Sequence, residues 1–428
     1  MVRLRLWWER AFWVIPVVGV LAGVLLHDAV AELDDLLRLT TPGAPPEIAA
    51  SSAVQLLAAI GGGMVTFTGF IFSFVVLLLQ FGSSQYSPRT VSYFLRARST
   101  QYILAIFLGT IAFSFVSLLD VGSLGQSEFT PLFTVSVAVL LLFVSLGAFI
   151  ALLQSVGGRV RVDAVLSALG RTARRQLPRQ LRVPRGATPT DQEAGVDRRS
   201  SLVVRSPRSG QAVAVDAARL LRIADRCGVR LTALPRVGDA VSAGAPLVRV
   251  EGADALPPRV IAAAARAVVI EQERSLRYDP LYAPRLLVDI AIRALSPAVN
   301  DPTTAVRSLD EIEGVLRAAA GLELGPRLLR AGDGEVLLPS PTWDDVVGLA
   351  LIEIMLSGAG QPQISRRIVA LVDDVAADVD AVRAASLVAL RDEVTAQIAL
   401  QAFTPRLAAV AAAADRQGLG GVLGSAWF

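Results

Sequence analysis

Apolar positions are unevenly spread along the chain. They gather in four stretches of its first third, Ala11–Leu26, Ala53–Phe81, Tyr102–Leu119 and Pro131–Leu153, each bounded by charge or by turn residues such as those at 122–126. A bilayer crossing takes about 20 apolar residues in helical form, so these stretches predict four transmembrane helices. Further on the period changes. Leu202–Val204, Gln211–Val215, Val229–Leu234 and Leu247–Val250 are short β-prone runs broken by Gly, Pro and Ser, with one helical segment, Asp216–Arg226, among them. Helical spacing then returns over Pro257–Glu273, Ala283–Leu295, Pro302–Ala320, Trp343–Leu356, Ser365–Ala384, Ser386–Phe403 and Pro405–Arg416. The expected architecture is a four-span α-helical membrane domain (1–158), a basic juxtamembrane helix and linker (159–200), a small β module (201–256) and a helical bundle (257–428), the last two forming an α+β region.

The second stretch is the unusual one. It is about 43 Å long as a helix, against a hydrocarbon core of about 30 Å, and Gly61, Gly62 and Gly63 offer a place to bend. Gly62, Thr66, Gly69, Ser73 and Gln80 follow one another at steps that keep them on one stripe, while Phe67, Phe70, Ile71, Val75 and Leu78 fall on other faces. Such a stripe suits close packing of helices, or a water-lined path where several copies meet around an axis. No charged residue lies at the centre of any stretch, which argues against a proton relay.

Composition fixes the orientation. Only 18% of the 428 residues are charged, and every one of the 41 basic residues is Arg. Arg3, Arg5 and Arg10 precede the first stretch, Arg89, Arg96 and Arg98 lie between the second and third, and Arg159 and Arg161 follow the fourth. The opposite loops carry Asp28, Glu32, Asp34, Asp35, Glu47, Asp120 and Glu128, with Arg38 the sole cation. By the positive-inside rule, both termini and the whole second half are expected in the cytoplasm of a cell whose inner membrane holds the spans. Ala29 and Ala31 leave open a cleaved leader in place of the first span, which changes none of the remaining orientation.

Eight arginines between 159 and 185 face one acid, Asp163. Together with Arg89, Arg96 and Arg98 they are candidate contacts for anionic lipid headgroups, Arg171, Arg174 and Arg175 in particular. With no aromatic residue among them, nucleic acid is not an expected partner. A single cysteine, Cys227, and a single histidine, His27, remove disulfides, Cys/His zinc sites and Ser–His or Cys–His nucleophile pairs, so no catalytic residue, metal or cofactor is expected. Asp373, Asp374, Asp378 and Asp380 suit either a divalent ion or, more simply, a solvated helix face.

The run Gly238-Asp239 to Pro246-Leu247 resembles the turns of barrel-sandwich modules related to biotinyl and lipoyl domains, although the chain has no Lys to carry a prosthetic group. Further on, Tyr278-Asp279-Pro280-Leu281-Tyr282 precedes a helical segment in which Asp289 and Arg293 stand four apart, and Ser296-Pro297 and Asp301-Pro302 read as a helix stop and a helix start. Asp289, Arg293, Asn300 and Asp301 also form a candidate polar pocket. Two strings, Gln80-Phe81-Gly82-Ser83-Ser84-Gln85-Tyr86-Ser87-Pro88-Arg89 and Arg293-Ala294-Leu295-Ser296-Pro297-Ala298-Val299-Asn300-Asp301-Pro302, resemble a family of bacterial predicted integral membrane proteins grouped under a domain of unknown function. That resemblance implies the architecture and an inner-membrane location, and no activity. The functional expectation is a homo-oligomeric, channel-like or sensor protein with a cytoplasmic regulatory region; the alternatives are a membrane-anchored interaction scaffold and, last, a carboxylate-based enzyme.

Overall fold

A computed structural model describes residues 13–40, 50–85, 98–123, 132–159, 161–184, 186–190 and 201–418. The chain divides into a membrane unit within Arg3–Arg161 and an α/β unit within Val162–Phe428.

The membrane unit has four helices: α1 (Val14–Thr40), α2 (Ala50–Gln85), α3 (Arg98–Ser123) and α4 (Leu132–Arg159). Each contains a segment apolar and long enough to cross a bilayer, Val14–Leu36, Ser51–Phe74, Thr100–Val121 and Leu132–Gln154. Gly61–Gly63 do not interrupt α2, which stays helical over 36 residues. Helix α3 packs on each of the other three, and its Phe107 and Phe113 are fully buried in a core with Leu57, Ile60, Met64, Ile71 and Leu152. Phe67 reaches in edge-on to Phe107 and Phe149, with ring centroids 5.9 and 4.8 Å away. Large apolar side chains such as Leu25, Phe72, Leu119, Leu140 and Phe143 point outward, while Thr110, Ser114, Ser117 and Ser145 are buried. This inverted pattern is what lipid, in place of water, selects.

Polar residues of α1 are satisfied across helices. Asp34, buried, accepts from the Phe133 and Thr134 amides at 2.9 Å each and from the Thr134 hydroxyl at 2.7 Å, so one helix caps the start of another. His27 Nδ1 lies 2.9 Å from Ser117 Oγ, and its Nε2 lies 3.9 Å from Asp120 Oδ2. Ser117 is fully buried, and the contact joins α1 to α3.

The α/β unit begins with α5 (Val162–Gln180) and continues through β1 (Thr188–Pro189), β2 (Ser201–Arg205), β3 (Gly210–Val215), α6 (Ala217–Cys227), β4 (Arg230–Ala233), β5 (Ala240–Val241), β6 (Pro246–Glu251), α7 (Pro258–Ala267) and β7 (Val268–Glu271). Next come α8 (Tyr282–Ala294), α9 (Pro302–Ala320), β8 (Arg327–Ala331), β9 (Gly334–Leu338), α10 (Trp343–Gly358), α11 (Pro362–Ala376), α12 (Ala381–Ala399) and α13 (Pro405–Ala412). One sheet runs β1-β8-β9-β4-β6-β2, all neighbours antiparallel except β4 and β9; the other runs β5-β3-β7. Leu220, Leu231, Val250, Ile270 and Val336 share one buried core against α6 and α7.

Four of these strands were not expected: β1, inside the stretch read as linker, and β7, β8 and β9. The helix read over Pro257–Glu273 ends at Ala267, and Val268-Val269-Ile270, β-branched throughout, pairs with β3. Strands β8 and β9 form a hairpin about Gly332-Asp333, with Gly332 at φ 56°. They complete the large sheet, so both sheets draw strands from either side of residue 257. The helix read over Ser365–Ala384 is two, because Asp380 caps the start of α12 by accepting from the Val382 and Arg383 amides.

Candidate functional site

In α2, side chains that pack inward are Ala53, Leu57, Ile60, Gly61, Met64 and Ile71. At about 100° per residue their mean direction lies roughly opposite the stripe of Gly62, Thr66, Gly69, Ser73 and Gln80, all five of which are exposed. A Cβ built on Gly62, Gly63 or Gly69 would meet no atom within 4 Å. The Thr66 and Ser73 hydroxyls donate to the carbonyls of Gly62 and Gly69, each at 3.1 Å, so α2 itself satisfies them. Among the described residues, then, nothing packs on the stripe at Gly62, Gly63 or Gly69. It is an open face of small and hydroxyl groups, flanked by exposed Val65, Phe70, Phe72 and Leu77.

Close helix packing is found elsewhere, at a place the sequence reading passed over. Gly19 and Gly23 of α1 lie on Ala105 and Gly109 of α3, where an added Cβ would overlap the facing carbonyls. The signal was present as two small-x-x-x-small pairs on different helices.

In the α/β unit, Asp289, Asn300 and Asp301 have partners on different elements. Asp289 accepts from Arg285 Nε at 2.7 Å, and Arg285 also forks onto both oxygens of Glu353 at 2.6 and 2.8 Å, tying α8 to α10. Asp301 caps α9, accepting from the Thr304 amide at 3.1 Å, with Pro302 at the first helical position. Asn300 sits at φ 47°, where an asparagine is tolerated, and its Oδ1 accepts from Gln361 at 3.5 Å. The Tyr278–Tyr282 string has the same kind of role. Asp279, almost wholly buried, accepts from Arg274 at 2.6 Å and from the Leu281 amide at 3.0 Å. Burial pushes its carboxyl above the ordinary value, against the pull of Arg274. A cleft of about 220 Å³ lies away from these residues, between Ala187, Leu221, Arg222, Asp225 and Ala331.

The C-terminal aspartates disperse. Asp373 pairs with Arg391 and Asp374 with Arg416, Asp378 pairs with Arg317, and Asp380 caps α12. Among the described residues no three His, Cys, Asp or Glu side chains converge in a way that could hold a metal.

The arginine set divides as well. Arg89 and Arg96 lie outside the described residues, and Arg98 is the first residue of α3. Arg174 is half-buried and paired: its Nη1 donates to Glu311 at 2.8 Å in a slot between Gly170 and Gly314, where added Cβ atoms would strike the pair. Arg171 and Arg175 stay exposed.

An uncharacterized protein of Mycobacterium bovis and one of Mycobacterium tuberculosis are each 31% identical to this chain over 403 residues, covering 86% of it and 72% of the relative. No solved structure matches. The four apolar helices and the match over residues 9–374 together place the chain in the family described as "Predicted membrane protein (DUF2254)", to which it belongs.

Proposed function

We propose that the protein is a homo-oligomer of the cell inner membrane, channel-like in architecture, in which the open faces of α2 from several copies meet and the α/β unit regulates the assembly from the cytoplasm. The observation that carries this reading is the exposed Gly62–Ser73 face, directed away from the buried side of α2, on which no described residue packs at Gly62, Gly63 or Gly69. Small residues let helix backbones approach closely, and hydroxyls already bonded to their own helix tolerate either a neighbour or water. The orientation rests on the arginine asymmetry between the loops. No catalytic reaction is assigned.

Single cysteines at Thr66 and Ser73, on a Cys227→Ser background, are expected to cross-link between copies in native membranes, and purified protein in planar bilayers is expected to give discrete conductance steps. Cross-links without conductance at any pH, tension or voltage leave an assembly that is not a channel. Absence of cross-links at both positions removes the assembly itself. A second reading, an interaction scaffold, is favoured by exposed Ile352 and Leu356 on α10 and Val388 and Leu400 at α12. A stable partner co-purifying with the wild type and lost from Ile352→Glu/Leu356→Glu would support it.

A further inference from the structure

Helix α5 buries Val165, Leu166, Leu169, Ala173 and Leu177 against its own unit. Arg171, Arg175 and Arg179 occupy an arc of about 80° on the opposite side, and Arg182 follows just past the helix end; all four are exposed. None of them has an ion pair among the described residues, whereas the half-buried Arg174 is taken by Glu311. The one acid on α5, Asp163, sits near its start beside Arg307 at 4.0 Å. The outer face of α5 is thus a line of uncompensated guanidinium groups. Some of this unit's arginines, Arg274, Arg285, Arg330, Arg366 and Arg367, have carboxylate partners, while exposed ones such as Arg222, Arg249 and Arg259 have none among the described residues; what sets the α5 group apart is that its cations share one helix face.

Connectivity limits where this line can go. In sequence, Arg171 follows Arg159, the last residue of α4, by only twelve positions, so the line is a juxtamembrane one. Guanidinium groups carry their charge on a long stem and fork onto phosphate oxygens. We propose that Arg171, Arg175, Arg179 and Arg182 form a docking surface for anionic phospholipid headgroups of the bilayer that holds the chain. This is independent of whether α2 faces meet between copies.

The test uses the full chain in nanodiscs of phosphatidylcholine alone, or with about 30% phosphatidylglycerol, read by hydrogen exchange of peptides covering 171–182. Near an anionic surface each arginine contributes about fivefold in local affinity, so exchange is expected to slow by at least about fivefold with phosphatidylglycerol. Raising salt from about 0.1 M to about 1 M shortens the screening length from about 10 Å to about 3 Å and is expected to abolish the difference. The variant R171Q/R175Q/R179Q/R182Q, which keeps Arg174, is expected to exchange alike in both nanodiscs, while unchanged exchange over 220–250 shows that it is folded. The proposal is overturned if wild-type exchange is the same in both lipids, or if the variant keeps the full difference. It also fails if inorganic phosphate added to phosphatidylcholine nanodiscs reproduces the slowing, which marks a soluble-anion site. Should the variant misfold, the lipid and salt dependence of the wild type decides alone.

Discussion

Two glycine-bearing helix faces in the membrane unit have opposite fates. On α1, Gly19 and Gly23 are pressed onto Ala105 and Gly109 so closely that no side chain fits. On α2, Gly62 and Gly69 lie along an equally regular stripe, and no described residue comes within 4 Å of a Cβ built on them. Small residues permit a close approach without specifying the partner; what closes the first face is a second small pair at the same depth on α3. The α2 face has no such complement among the described residues, which is why its partner is sought in another copy.

The largest effect should come from filling the closed face. Gly19→Leu/Gly23→Leu forces α1 off α3, and overpacking of this kind costs about 1–3 kcal/mol per site or more, measurable as lost resistance to unfolding in mixed micelles. Should the double variant be as stable as the wild type, the close packing described here is wrong. Next is Asp34→Ala, which strips three hydrogen bonds from the start of α4 and is expected to cost about 1–2 kcal/mol in the same measurement.

Within the α/β unit, acid should act through two aspartates of opposite sign. Burial raises the Asp345 carboxyl, but bonds from the Thr342 amide and hydroxyl and the charge of Arg236 outweigh it, and the net position is below the ordinary value. Its stabilising contribution is therefore present above the unfolded value of 3.8 and is lost as pH falls through the lower folded one. Asp279, held high, acts with the opposite sign and gains as pH falls. The Asp345 group is partly exposed, so screening keeps its effect under about 1 kcal/mol. Between about pH 5 and about pH 3, Asp345→Asn should flatten part of the fall in Tm of the α/β unit, leaving the membrane unit unaffected.

The smallest effect sharpens the comparison most. Gly69→Leu on the open face should change single-chain stability by no more than about 0.5 kcal/mol, while abolishing the cross-links expected at Thr66 and Ser73. A large loss of stability in monomeric micelles would mean that the face is already packed.

Much of the architecture could be read in the residues. Long apolar runs located the four spans, because lipid imposes a length that no tertiary contact changes. The Asp301-Pro302 start of α9 was legible for a local reason, a cap and a proline acting within four residues. Strand β7 was misread because Val268-Val269-Ile270 directly continues an alanine-rich helix, and only pairing with β3, far back in the chain, decides between the two states. The β8–β9 hairpin left its mark in Gly332-Asp333-Gly334, but its parallel neighbour β4 is about a hundred residues earlier.

The candidate residues divide along the same line. Composition and order alone determined that part of this chain lives in lipid, that its arginines are distributed asymmetrically, and that small residues form a stripe on α2, since each follows from local chemistry and helical period. Only the tertiary structure decided which glycine face closes, and that Arg174 pairs with Glu311 while Arg171 and Arg175 remain exposed. Those outcomes depend on groups 80 to 140 residues apart meeting at one place, and short-range pattern carries no record of such a meeting.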